Sequence, residues 1–455
     1  MKTTTLAAAV FAMCGAFLLD SNAAFAKGPL DVERQSPLIL VKESVTEINL
    51  KDFPFGLEEG TSKNVRMTFD QEIKIPEEDD SVKISYVVTM PSLDVEKDGD
   101  DIVTIKFPEE YNLTLMTNVE GDDFQMDMAG LMDNQVMTFE RDGDRMKYSG
   151  SADGFSATVT SPQAIENGVD FAFEMGGSGF SISGEGAAKQ DYTDIQTLDV
   201  SYDYTMEKVT FSAAAKGDGP GEQFEMSGNS GSIAASGQVG KGRIDGKSEM
   251  NAFDLTVSKP LPIEASIGKL STEIGMPTEP SPKPQDIKYL IGAEDIVLDD
   301  FVWGLMDPNE AFPRDLKRVM IDLEMQAMMM VSLFDPEAMA EIESSGVPPM
   351  IPTTAKIKSI AFDGLGLKVD ATGEGELKGT QPEGEAYVTV KGLNEFVTSA
   401  VKAGMFGDQE SIMIQGMAGQ LGKEGDDGEL IFDINTDGGM VNINGAPIMP
   451  VPGAQ

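Results

Sequence analysis

The sequence predicts a mainly β protein: large, twisted antiparallel sheets in two related halves, with a few short helices near the C-terminus. Three observations carry that expectation. Apolar and polar residues alternate with a period of two through much of the chain, glycine-rich turns interrupt the alternation, and the helical crossovers that parallel strands require are missing.

Val82, Ile84, Tyr86, Val88 and Met90 share one face of a first strand, with Lys83, Ser85 and Thr89 on the other. Val169, Phe171, Phe173 and Met175 alternate with Asp170, Ala172 and Glu174. Leu198, Val200, Tyr202, Tyr204 and Met206 repeat the scheme, followed by Val209, Phe211 and Ala213. Each pattern belongs to a strand with one buried face and one wet face. Asp98-Gly99, Asp142-Gly143, Gly176-Gly177 and Gly217-Asp218-Gly219 read as the turns between strands, because glycine reaches the positive φ of tight hairpins.

The prolines of Pro277-Thr278-Glu279-Pro280-Ser281-Pro282-Lys283-Pro284 exclude helix and central strand, so this run reads as an extended linker. The expected organisation is an N-terminal β domain over 27–276, a linker over 277–285 and a C-terminal β domain over 286–455. The second half opens with a strand pattern from Ile287 to Trp303 and a turn at Asp307-Pro308. Val319 to Val331 fits a helical stripe as well as a strand, and the length of its alternation favours the strand. Further strands are expected near Ile357–Val369 and Ala386–Val390.

Helices are expected over 335–344, with Pro336 in the first turn, and over 393–403 and 408–421. The second places Leu393, Phe396, Val397, Ala400 and Val401 on one face and stops at Gly404; the third opens on an acidic turn and ends at Gly422. A last hairpin pairs Leu430–Asn435 with Met440–Asn444 around Asp437-Gly438-Gly439.

Residues 1–26 read as a cleavable signal peptide: Lys2, an apolar stretch from Leu6 to Leu19, then the small-x-small site Ala24-Phe25-Ala26. That places the mature protein in the periplasm, without a transmembrane segment. It would also be free of disulfides, because the single cysteine, Cys14, lies inside the signal. The formal charge of −43 repels phosphates and anionic headgroups and excludes nucleic acid as a partner, while favouring a basic protein partner. The 40% hydrophobic content still allows a sizeable core.

The chain has no histidine, which removes the Ser-His-Asp and Cys-His systems and most zinc, haem and copper sites. No catalytic residue is nominated. Asp433-Ile434-Asn435-Thr436-Asp437-Gly438 matches the first six positions of a calcium loop, so Asp433, Asn435 and Asp437 are the candidate metal ligands. The twelfth position is Asn444 rather than a bidentate Glu, and a hairpin turn explains the same residues. No cofactor is expected beyond this weak calcium match. The acidic runs Glu77 to Asp80, Asp98 to Asp101, Asp122-Asp123 and Asp426-Asp427 read as solvated turns. Met325 to Met330 reads as flexible packing rather than a thioether copper site, with Met325 and Met329 on one face and Met328 and Met330 on the other.

Phe312-Pro313-Arg314-Asp315, Leu333-Phe334-Asp335-Pro336-Glu337, the helix pair, Gly428-Glu429-Leu430-Ile431-Phe432 and Val441-Asn442-Ile443-Asn444-Gly445 follow one another in a particular order. That series resembles the proteobacterial exported family called domain of unknown function 2125, over about Asp286 to Pro447. The closing strand-turn-strand is also similar to the ends of AsmA-like envelope proteins. The resemblance implies an exported protein on curved sheets, with no catalytic residues to carry over; the AsmA-like group adds lipid handling by analogy. The function expected is a non-catalytic envelope protein with a lipid-like or other apolar ligand in a sheet-lined groove. The alternative is an acidic structural scaffold packed sheet on sheet and stabilised by divalent cations.

Overall fold

A computed structural model describes residues 46–47, 54–74, 81–119, 122–160, 170–188, 199–216, 223–240, 242–332, 338, 342, 348–378, 381–437 and 439–450. Among them, 24 strands join one hydrogen-bonded sheet. The expected signal peptide and the acidic run Glu77 to Asp80 lie outside the described residues, as does the helix expected over 335–344 apart from Ala338 and Ile342, both helical. The chain divides into two compact units, residues 1–241 with 257–261, and residues 242–256 with 262–455.

The first unit holds β1 (Thr46–Glu47), β2 (Gly60–Lys74), β3 (Ser81–Asp98), β4 (Ile102–Lys106), β5 (Glu110–Val119), β6 (Asp122–Asp133) and β7 (Val136–Asp142). It continues with β8 (Arg145–Thr160), β9 (Asp170–Ala187), β10 (Asp199–Met206), β11 (Lys208–Lys216), β12 (Gln223–Ser230) and β13 (Ile233–Gly240). Antiparallel register sets its core. Val95 faces Ile105 across β3 and β4, and Val103 faces Phe139 across β4 and β7. With Val65, Met67, Met90, Leu93 and Met146 these residues form one buried cluster. Each fully buried Val, Leu or Ile contributes about 1.5–3 kcal/mol. The Arg141 guanidinium closes one side, 4.0 Å over the Phe55 ring.

Gly99 and Gly143 occupy turns at φ 69 and 62, as their Asp-Gly dipeptides predict. Gly176-Gly177 does not form a turn. Both glycines lie inside β9, where Phe155 of β8 faces Gly177. The arrangement recurs: Tyr111 faces Gly130, Tyr148 faces Gly184 and Tyr202 faces Gly237. An aromatic ring lies in the space that a β-carbon would fill, so these strand glycines make room for rings.

Strand β14 (Arg243–Lys259) has residues in both units. The second unit continues with β15 (Ile263–Pro277), β16 (Gln285–Leu298), α1 (Asp300–Met306), β17 (Leu316–Met329), β18 (Met350–Gly364), β19 (Leu367–Lys378) and β20 (Gln381–Lys391). Then come α2 (Leu393–Ala403), α3 (Asp408–Leu421), β21 (Lys423–Glu424), β22 (Leu430–Asp437), β23 (Met440–Ile443) and β24 (Ala446–Pro450). Strands β15 to β20 form an antiparallel meander that passes on to β22 and β23.

Three expectations change here. The proline-rich run is not an interdomain linker: it connects β15 to β16, which pair with each other, and the units divide at Lys241 instead. Prolines stop the ladder, and the crossing is pinned by Thr278 N–H on the Gly242 carbonyl at 2.8 Å and Ser281 N–H on the Met329 carbonyl at 2.9 Å. The strand expected to reach Trp303 ends at Leu298, because Asp299 caps a helix through its Oδ1, which accepts from Val302 N–H at 2.7 Å. Trp303 is thus buried on α1 rather than anchored in the sheet. The single strand expected over Ile357–Val369 is a hairpin, turning at Leu365 and Gly366 with φ 55 and 75. A leucine at positive φ gives no turn signal in a sequence. The strand reading of Val319 to Val331 and the helices over 393–403 and 408–421 agree with the structure.

Candidate functional site

The register of the second unit gathers its apolar residues onto one face. Ile274 faces Tyr289, Tyr289 faces Leu323, and Leu323 faces Ile357 across β15, β16, β17 and β18. The next row runs Ile291, Ile321, Ile360, Ala371, Val388 and Phe432 across β16, β17, β18, β19, β20 and β22. A third runs Ala293, Val319, Phe362, Val369, Val390 and Leu430 over the same strands. Strands stand about 4.8 Å apart, so a six-strand row is about 24 Å wide. No charged side chain interrupts any of the three rows.

Among the described residues this face is open on β16 to β18 and half-buried toward β19, β20 and β22. Tyr289 is 46% exposed, Ile291 42%, Val319 40%, Ile321 37% and Ile360 36%. A sheet normally buries its apolar face against a second layer, and an exposed contiguous patch marks a binding surface. The helices shelter little of it. Helix α2 buries its own Val397 and Ala400, and its Phe396 ring stands 5.5 Å from Phe312. No residue of helix α3 is itself buried, although a β-carbon on its C-cap Gly422 would stand 3.1 Å from the Phe432 ring of the second row.

The opposite face carries the charge, beside a row of buried Gly292, half-buried Met320 and buried Ala361. One of its rows runs Lys288, Glu324, Lys356, Glu374 and Glu385. Lys358, at a bulge in β18, reaches Glu324 Oε1 at 2.9 Å. That hydrogen bond holds the Glu324 carboxyl below its ordinary range and raises the lysine. From Lys288 to Glu374 the signs alternate and support the strands laterally, and the row makes the polarity of the two faces unequal.

Asp307 ties α1 to the strands that follow. Its side chain is buried, with Oδ2 accepting from Phe312 N–H at 2.8 Å and its own N–H bonded to the Trp303 carbonyl at 2.7 Å. The Phe312 amide, with that of Ala311, holds the carboxyl below its ordinary value. Through Oδ2 this carboxylate serves a structural role.

The candidate metal ligands are not gathered into a loop. Asp433, Asn435 and Asp437 lie at alternate positions of β22, about 6.8 Å apart along an extended strand, whereas calcium needs all its oxygens within about 2.6 Å of one ion. Asp433 N–H bonds to Asn444 Oδ1 at 3.1 Å, and Asn435 Oδ1 accepts from Asn442 at 3.2 Å, so their neighbours serve the hairpin. Among the described residues no group of three acidic, histidine or cysteine side chains is placed to hold a metal. The methionines of 325–330 divide as alternation expects: Met329 is buried on one face, whereas Met330, past the end of β17, is exposed on the other side. Sequence reasoning found the strands but missed the rows, because a row exists only once register is known.

No helix among the described residues is long and apolar enough to cross a membrane. No curated protein matches the chain, and neither does any solved structure. A family model described as "Uncharacterized protein conserved in bacteria (DUF2125)" matches residues 202–452. The match starts at β10, well ahead of the region whose motifs first suggested it, and takes in the whole meander with its uncovered face. With more than half its length matched, the chain belongs to the DUF2125 family of uncharacterised proteins conserved in bacteria.

Proposed function

We propose that this protein is an exported, non-catalytic component of the bacterial envelope that holds a lipid-like or other apolar ligand on the uncovered face of β16 to β18. The observation behind this reading is the in-register exposure of Tyr289, Ile291, Val319, Ile321 and Ile360. Apolar contact gains about 25 cal/mol per Å² removed from water, and a sheet offers it without specific polar partners. A ligand with long hydrocarbon segments suits that surface better than a small polar one. The N-terminal signal pattern supports export to the periplasm.

Native mass spectrometry of protein purified from a bacterial periplasm tests the reading. Acyl lipids are expected to accompany the wild-type chain and to be absent from Ile291→Ser/Ile321→Ser at unchanged circular dichroism. A wild-type chain that is clean on isolation, and takes up no fluorescent fatty acid in titration, would remove the proposal. Sequencing the N-terminus of the exported protein tests processing before Lys27.

A further inference from the structure

Helix α3 has 14 residues and none of them is buried. It turns Ile412, Met413 and Met417 outward at 71%, 58% and 54% exposed, and Met405 in the preceding turn is 55% exposed. Gly416 and Gly419 interrupt it, and a β-carbon at either would meet nothing within 4 Å. Interior glycines cost a helix about 1 kcal/mol each against alanine. Isolated helices of this length are marginal and take most of their stability from packing an apolar face. Here Ile414, Ala418 and Leu421 are half-buried on one side of the helix, while Ile412, Met413 and Met417 form a second apolar stripe that points to solvent.

The charges around α3 say what could cover it. Asp408 stands four residues before Ile412 and Glu410 three before Met413, so both exposed carboxylates flank the apolar stripe. Lys423, Glu424, Asp426 and Asp427 follow the helix and are exposed, three acids to one base. Helix α3 contains no basic residue, and its last turn offers none to offset the negative end of the helix dipole. A second copy of a chain carrying −43 would bring like charges together, and an anionic membrane is repelled for the same reason.

We propose that α3 is a docking surface for a basic amphipathic helix of a partner protein. The partner's apolar face would lie on Ile412, Met413 and Met417, whose flexible thioethers adapt to varied shapes, and Gly416 would let the two backbones approach. Its lysines or arginines would meet Asp408, Glu410 and Glu424. This inference stands apart from the ligand face of the sheet and shares no residue with it.

Binding of two synthetic peptides to the full-length chain at physiological salt tests it: a Leu/Lys amphipathic helix of about five turns, and a Lys/Ser peptide of equal charge. The Leu/Lys helix is expected to bind at least about tenfold more tightly, a difference of about 1.4 kcal/mol. Ile412→Ser/Met413→Ser/Met417→Ser should abolish that difference, and Asp408→Asn/Glu410→Gln should weaken binding and flatten its salt dependence. Met417→Glu alone serves as a second probe should the triple variant alter the circular dichroism. Equal binding of the two peptides, or full Leu/Lys binding by the variants, overturns the proposal. Capture of the wild type by phosphatidylcholine vesicles through the same three residues also overturns it and assigns the face to a lipid surface.

Discussion

Tyr148 lies directly across the ladder from Gly184, and a β-carbon on that glycine would stand 2.5 Å from the phenolic oxygen and 2.0 Å from the Ser201 carbonyl. The phenol uses the space to reach the next strand, donating to the Ser201 carbonyl at 2.8 Å. Three strands are thus fastened by one ring over one missing side chain. Gly184→Ala is expected to destabilise the protein by about 1–3 kcal/mol through overpacking. Gly246→Ala is the control: its β-carbon would meet only Ile274, at 3.7 Å. Urea unfolding of the two variants decides the matter, and equal midpoints would refute the role given to the tyrosine.

Asp307 predicts an acid limit to stability. Its folded-state pKa lies below its ordinary 3.8, because the Phe312 amide, then that of Ala311, favours the charged form. The stabilisation is therefore complete above about pH 4 and is lost as pH falls through the folded-state value. Asp307→Asn should be less stable than wild type at neutral pH, with the gap narrowing steadily below pH 4. A gap that stays constant with pH would assign the residue a purely steric part.

Glu374 and Glu385 sit directly opposite each other on exposed positions of β19 and β20. Like charges so placed are unfavourable by a few tenths of a kcal/mol, and opposite charges are favourable by a similar amount. Glu385→Lys is expected to raise the melting temperature modestly at low salt, with the gain fading as salt screens the pair. A salt-independent shift would point to another cause.

The two units predict opposite responses to apolar loss. Ile105 is fully buried in the first unit, so Ile105→Ala should cost about 2–5 kcal/mol. Ile321 is 37% exposed on the second unit's face, so Ile321→Thr should change stability by under about 0.5 kcal/mol in ligand-free protein. Comparable losses at both sites would mean that something covers the face of β17.

Most strands were readable from alternation, because a period of two is a local property of the chain: the pattern through Val319 to Ala327 is complete without knowing any neighbour. The same holds for α2 and α3, whose ends at Gly404 and Gly422 are written in the residues themselves. Turns at Leu365, strand glycines at Gly177 and the helix capped by Asp299 were not readable, since each depends on what lies opposite or alongside.

The amino-acid sequence alone settles the alternation, the acidity and the missing imidazole, all additive over residues and indifferent to partners. Tertiary structure alone decides that Ile291, Ile321 and Ile360 stand side by side, that Asp433 and Asn435 serve a hairpin, and that among the described residues the apolar rows stay open on β16 to β18. The reason is register: sliding one strand by a single residue would leave every local pattern intact and turn its greasy face to the other side.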